Sequence, residues 1–297
     1  MMNQETITAA TAQFLATYRR AFESADETQE YRQFADEISV SGGIVRIPWA
    51  SEFPQLEKWV TQRTVKRLEA SEYVVPVDKF SAAIRVPVED LEDDKRGLYS
   101  HRFESAANAA AEWANGVIYA LMAAGDTAPC LDGAPFFGTH EDSSGTVSNV
   151  SAGSSSPIYV LDTNRPLKPF VFLNRTEPKM QTLARSETGG VSGYEFMNDE
   201  LVFGIRARGA GAFGLWQTAY KFADSTFDTD ALDAIFAFMM ARKNDERSSL
   251  GITPNLIVCG GSRRSEVLDL IDKKRSAGGG SNRYHNRLSV IVTPHLV

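Results

Sequence analysis

The sequence predicts an α+β fold, and three stretches carry that prediction. The first is a long run of helical periodicity between residues 97 and 124. The second is a pair of strand-rich segments, "PIYVLDTNRPLKPFVFLN" and "YEFMNDELVFGIRARGAGAFGLW". The third is "GITPNLIVCGGSRRSEVLDLIDKK", which reads as strand, glycine turn and helix, followed by a closing strand in "NRLSVIVTPHLV". A chain of 297 residues, 43% hydrophobic and 23% charged, is long enough for one large domain or two ordinary ones.

At the N-terminus, Ile7, Thr11, Phe14, Leu15, Tyr18 and Phe22 fall on one face at helical spacing. Such a helix docks either on its own domain or on another subunit. "MMNQETITAATAQFLATYRRAF" has no basic start followed by an apolar run, so it does not read as a secretion signal. From Phe22 to about Trp49 the chain reads as irregular, with a turn and a short extended piece in "SGGIVRIPWA".

Between Trp59 and Val88 the pattern changes. Val74, Val75, Val77, Phe80, Ile84 and Val86 favour strands. Pro76 and Pro87 interrupt ladders, which sends these strands to a sheet edge or a projecting hairpin. Lys66, Arg67, Lys79 and Arg85 alternate with Glu69, Glu72 and Asp78, a poor core and a plausible long arm.

Glu89, Asp90, Glu92, Asp93 and Asp94 then precede the long helix, where its dipole favours negative charge. Tyr99, Phe103, Ala106, Ala110, Trp113, Val117 and Leu121 recur every three or four residues, and Gly125 is the expected stop. At ~1.5 Å per residue the helix is about 40 Å long. Its alanines let another layer approach closely. "SSGTVSNVSAGSSS", from Ser143 to Ser156, reads as a flexible loop by composition. The two strand-rich segments are expected to pair antiparallel. Asp228 or Thr229 caps a helix that turns Leu232, Ile235, Phe236 and Met239 inward.

Candidate chemistry is concentrated in "CLDGAPFFGTHED", which holds Cys130, Asp132, His140, Glu141 and Asp142. A zinc site wants four converging donors at spacings such as C-x2-C or H-x3-H, and neither is present. Asp132-Gly133 is a turn pair, and Phe136 and Phe137 read as anchors. The stretch is therefore expected to be structural, with catalytic or metal use of Cys130, Asp132 and His140 as the alternative. In "LIVCGGSRRSE", Cys259 sits at a strand end and a Gly-Gly turn precedes a helix, but no dinucleotide or P-loop pattern accompanies them; Ser262 reads as an N-cap. His101 is placed on the long helix at the surface, and His285 and His295 are scattered. Arg19-Arg20 and Arg263-Arg264 read as solvated faces or subunit contacts.

A formal charge of −7 excludes an obvious nucleic-acid grip, which needs clustered Lys and Arg. Two cysteines, Cys130 and Cys259, fit a reducing compartment. No apolar run is long enough to span a bilayer.

The order of features resembles the Hong Kong 97-type major capsid fold, and more closely the Mu-like bacteriophage major head subunit family. "CLDGAPFFGTHED" after the long helix carries the resemblance, with "SNV", "YVLDTNRPLKPFVF" and "VFGIRARGAGAFGLWQTAY". It continues in "LDAIFAFMMARKNDERSSLGITPNLIVCGG" and "NRLSVIVTPHLV". It covers most of the chain from about Trp59 onward; the first fifty residues and "SETGGVSG" carry little of it.

The resemblance implies an N-terminal arm at 1–50, an extended loop at 51–93, a peripheral domain at 94–214 around a spine helix at about 97–124, an axial domain at 215–290 and a C-terminal strand end at 291–297. Gly278 to Gly280 would lie near the capsomer axis. It further implies a structural protein, not an enzyme, of a tailed phage or prophage, with no catalytic, cofactor or metal residues to carry over. Such a chain assembles with itself into hexamers and pentamers of an icosahedral shell around double-stranded DNA, without specific DNA binding and without a membrane. Only about fifty residues precede the extended loop, short for a domain of its own, so a separate scaffolding protein is expected, with a portal and a decoration protein as further partners. The place of action is the virion, with assembly in the host cytoplasm. A nanocompartment shell of the encapsulin type and an α/β enzyme with a site in the 130–142 loop are the competing readings.

Overall fold

The structure is a computed structural model, and it describes residues 4–46, 73–93, 96–143, 145–182, 193–243, 249–275 and 281–296. In chain order these form α1 (Gln4–Asp26), β1 (Ala35–Ser39), β2 (Ile44–Arg46), β3 (Val74–Pro76), β4 (Asp78–Pro87), α2 (Val88–Glu92) and α3 (Arg96–Ala124). There follow β5 (Thr139–Asp142), β6 (Gly145–Ser148), β7 (Ile158–Leu161), β8 (Phe170–Thr182), α4 (Gly193–Asn198) and β9 (Glu200–Phe213). The chain ends with β10 (Ala219–Phe222), α5 (Thr229–Met240), β11 (Leu256–Gly260), α6 (Arg264–Asp272) and β12 (Ser289–Thr293). The charged positions expected at Lys66, Arg67, Glu69 and Glu72, most of "SETGGVSG", and the Gly278 to Gly280 loop lie outside the described residues.

The first sheet has the order β1-β8-β9-β4. As expected, the two long strands pair antiparallel, from Phe170 opposite Phe213 to Thr182 opposite Phe203. Among the described residues strand β4 lies at the edge, with Pro87 at its end, where a residue without an N–H is tolerated. Strand β1 is a correction. Residues 35–39 were expected to be irregular, yet they pair parallel to β8 across a long sequence separation.

The spine helix α3 lies on one face of this sheet. Two glycines of β9 make the close approach possible. A Cβ on Gly209 would come within 2.8 Å of the Trp113 ring, and one on Gly211 within 3.0 Å of Leu121. Helix α1 packs on the N-terminal half of α3, so it docks on its own chain. Phe14 stacks on Phe103 at 4.5 Å and meets Phe203 edge-on at 5.9 Å. Gly125 ends α3 as expected, but for a different reason: its Cβ would collide with Phe137 at 2.5 Å, and its φ is not positive.

The second sheet has the order β10-β7-β11-β12, with β11 and β12 parallel and the other pairs antiparallel. Helices α5 and α6 cover one face through Leu232, Ile235, Met239, Val267 and Ile271. Asp228 is the N-cap of α5, accepting from the backbone N–H of Asp230 and Ala231. The N-cap of α6 is Arg263, not Ser262. Arg263 is buried and donates to the Asp224 carbonyl, so it is not the solvated cation expected. A core cluster shared by both sheets includes Tyr119, Phe136, Phe137, Tyr159, Phe170, Phe213 and Val258.

Candidate functional site

The segment after α3 was the main candidate for chemistry, and its local structure follows from its turn residues. Cys130 N–H donates to the Ala134 carbonyl and Gly133 N–H to the Cys130 carbonyl, with Gly133 at φ 81°. That left-handed geometry favours glycine. Asp132 Oδ1 accepts from Ala134 N–H at 3.0 Å. Phe136 and Phe137 then drop into the core as anchors; Phe136 stacks on Phe213 at 4.5 Å and Phe137 packs on Tyr159. Strand β5 pairs with β6 and carries His140 back over the turn.

Folding brings Cys130, Asp132 and His140 together, with one donor atom of each within 4.8 Å of the others. The contacts are hydrogen bonds. His140 Nδ1 lies 2.6 Å from Asp132 Oδ2, and Cys130 Sγ donates to Asp132 Oδ1 at 3.1 Å. His140 Nε2 faces the Phe136 carbonyl oxygen at 3.2 Å, and its ring stacks on Trp216 at 4.2 Å. The His140 side chain is fully buried. Donors around a tetrahedral zinc, at about 2.0–2.3 Å from the ion, stand more than about 3 Å apart. The 2.6 Å contact is tighter than that, and both ring nitrogens of His140 face partners within this chain.

The electrostatics agree. Burial pushes the Cys130 thiol up to about 12, and its hydrogen bond to Asp132 adds to the rise. A thiol so displaced is a poor source of thiolate. Burial pulls Asp132 upward, but the hydrogen bonds from His140 and Cys130 outweigh it and hold the carboxyl below its ordinary value. Cys259, fully buried in β11, is likewise pushed up, to about 11, by burial. The arrangement is a closed knot that fixes the chain between α3 and the sheets. His101 is exposed, as expected. His295 contacts Glu112 of α3 at 3.1 Å and stacks on Tyr119, which seats the chain's end on the spine helix.

Two neighbouring contacts went unforeseen. Residues 143–156 were expected to be a flexible loop; instead β6 pairs with β5, and Asn149 behind it is fully buried. Asn149 accepts from Gly138 N–H and donates to the Phe136 carbonyl, both at 2.9 Å. Asp142 and Arg242 form a buried ion pair at 2.5 Å, tying β5 to the C-terminal end of α5. The serine-rich composition hid the first, and a separation of 100 residues hid the second.

A long helix lying on extended antiparallel strands, joined through a pinned turn to a compact sheet-and-helix end, defines a shell subunit of the Hong Kong 97 type. The chain belongs to the family of the Mu-like prophage major head subunit gpT, whose model matches residues 7–296. It is 28% identical to the major capsid protein of Escherichia phage Mu over 98% of this chain and 99% of that one. Its structure is similar to the procapsid subunit of bacteriophage JBD30, with a TM-score of 0.82, 28% identity and coverage of 97% and 99% of the two chains. A JBD30 capsid decorated with minor capsid protein trimers matches in fold, with a TM-score of 0.77, 22% identity and coverage of 91% of each chain. The chain is a structural head subunit of a tailed phage.

Proposed function

We propose that this chain closes into an icosahedral head of hexamers and pentamers around double-stranded DNA, aided by a separate scaffolding protein. The observation that carries the reading is the similarity to a procapsid subunit over nearly the whole of both chains. The proposed arm at 1–50 and loop at 51–93 are rooted in one sheet: β1 and β4 flank β8 and β9, which belong to the proposed peripheral domain at 94–214. The axial domain proposed at 215–290 holds α5, α6, β10 and β11, and it borrows β7 as an inner strand of its sheet. The strand end at 291–297 then returns to α3 through His295.

A separate scaffold is supported by the use made of α1. That helix is committed to its own subunit's core through Ile7, Ala10 and Phe14, rather than standing free as a scaffolding segment. Decoration by a minor protein is proposed from the decorated JBD30 capsid, a portal from the family resemblance, and assembly in the host cytoplasm from the same family. The chain acts without catalysis, since the knot at Cys130, Asp132 and His140 is spent on its own hydrogen bonds.

Electron cryomicroscopy of particles from cells expressing the chain with and without candidate scaffold genes tests this. Uniform closed heads are expected only with the scaffold. Uniform heads from the chain alone would remove the scaffold, and a small soluble oligomer under both conditions would remove the shell reading itself.

A further inference from the structure

One face of the first sheet carries positive charge that the sequence order conceals. Strand alternation gives the sheet two faces. Phe203, Ile205 and Ala207 of β9 are buried on the side of α1 and α3. The opposite side takes Val202, Gly204, Arg206 and Arg208. Pairing register adds Lys79 directly opposite Arg208 and Arg85 opposite Val202 on β4. On β8, Lys179 lies opposite Arg206, and Arg175 is the first charge acting on Arg208.

Lys79, Arg85, Arg175, Lys179, Arg206 and Arg208 make no ion pair among the described residues. Among the described strand residues two carboxylates share this side, both away from the cations: Glu200, at the far end beside Pro87, where the Tyr194 hydroxyl donates to it, and Asp36 of β1, opposite Val171, which accepts from the Lys168 N–H. Like charges directly opposite on neighbouring strands destabilise a sheet. Lost hydration first, then Arg175 and Arg206, push the Arg208 guanidinium below its ordinary value, and Arg208 Nε is buried without a hydrogen-bond partner. The isolated subunit therefore holds a repulsion that an anionic partner would relieve.

We propose that this basic sheet face is a docking surface for the acidic surface of a second copy of the chain. Charge complementarity points there: the whole chain carries −7, so with these cations gathered on one face the remaining surface is more negative still. The texture points the same way. Between the cations lie Ser81, Ala83, Val202 and Gly204, short or apolar side chains on which a second polypeptide layer packs while its carboxylates reach the guanidinium groups. A phosphate backbone has no use for the apolar part. This inference rests on the shell reading and adds to it the surface through which copies meet.

The test uses assembled particles made from a mixture of light and heavy-nitrogen chains. Zero-length carbodiimide coupling is expected to join Lys79 or Lys179 to a carboxylate on a chain of the other isotope. Arg206→Glu with Arg208→Glu should lower particle yield about ten-fold or more. Arg206→Gln with Arg208→Gln should do less. The cross-links, read on the unaltered chain, hold even if a variant misfolds. Coupling only within single chains overturns the proposal. So does protection of these lysines from acetylation in DNA-filled but not in empty particles, which assigns the face to phosphate. Failure of the unaltered chain to form particles would strike the shell reading, whereas particles without cross-chain coupling strike this inference alone.

Discussion

Strand β11 is buried at every position from Leu256 to Gly260, whereas β4 is buried only at Val86. The two strands stand for two regions. In the compact end, β7 and β11 are apolar on both faces, because the shared core lies on one side and α5 and α6 on the other. In the spine-helix region, α1 and α3 cover one face of the long sheet, and the far part of the other face is left to charged and small side chains. The compact end completes its core within one chain. Among the described residues, nothing covers the far part of the long sheet's other face.

The largest expected effect tests whether these regions unfold together. Phe136 lies in the cluster that both sheets share. Phe136→Ala should cost about 3–5 kcal/mol, the usual range for deleting a buried ring. Chemical denaturation of the unassembled subunit should show one transition in both forms; two transitions in the variant would separate the regions. Next comes Asn149→Ala, which strips partners from the Gly138 N–H and the Phe136 carbonyl. Buried groups left unpaired cost about 1–3 kcal/mol, readable in the same denaturation curves.

How much of this was legible in the sequence depends on the distance over which each feature is decided. The spine helix, the pairing of β8 with β9 and the Asp228 cap are written in local periodicity and short-range chemistry. Strand β1 is not, because "ADEIS" has little apolar pattern and takes its partner from β8, far along the chain. Asn149 sits in a run whose serines and glycine mimic a linker. The turn at Asp132-Gly133 and the two phenylalanine anchors were legible; the seating of His140 against Asp132 was not, since it needs β5 to fold back over the turn. The basic face was hidden because its cations come from three strands, and only register brings them together.

Smaller effects sharpen the contrast. Asp228→Ala removes two accepted hydrogen bonds from the first turn of α5 and should cost ~1 kcal/mol, confined to the compact end and visible in its amide exchange. The smallest effect is the pH response of the knot. The Asp132 carboxyl is held below its unfolded value, so its contribution is present above the ordinary carboxylate pKa and is lost as pH falls through the lower folded value. With Asp132 about a third exposed, that contribution is modest. Asp132→Asn should therefore flatten the acid limb of a stability-against-pH curve slightly and leave the neutral region nearly parallel to the unaltered chain.

Strand β4 has a further consequence. Among the described residues no strand pairs with its outer edge, and open edges of that kind seed fibres. Pro87 closes one end of the ladder, and Lys79 and Arg85 put charge along it. A protein that must meet many copies of itself at high concentration needs one mode of association to outrun the others. By making edge-to-edge sheet growth unfavourable, the edge guards against the simplest polymer the chain could form and keeps the subunits available for a shell that closes.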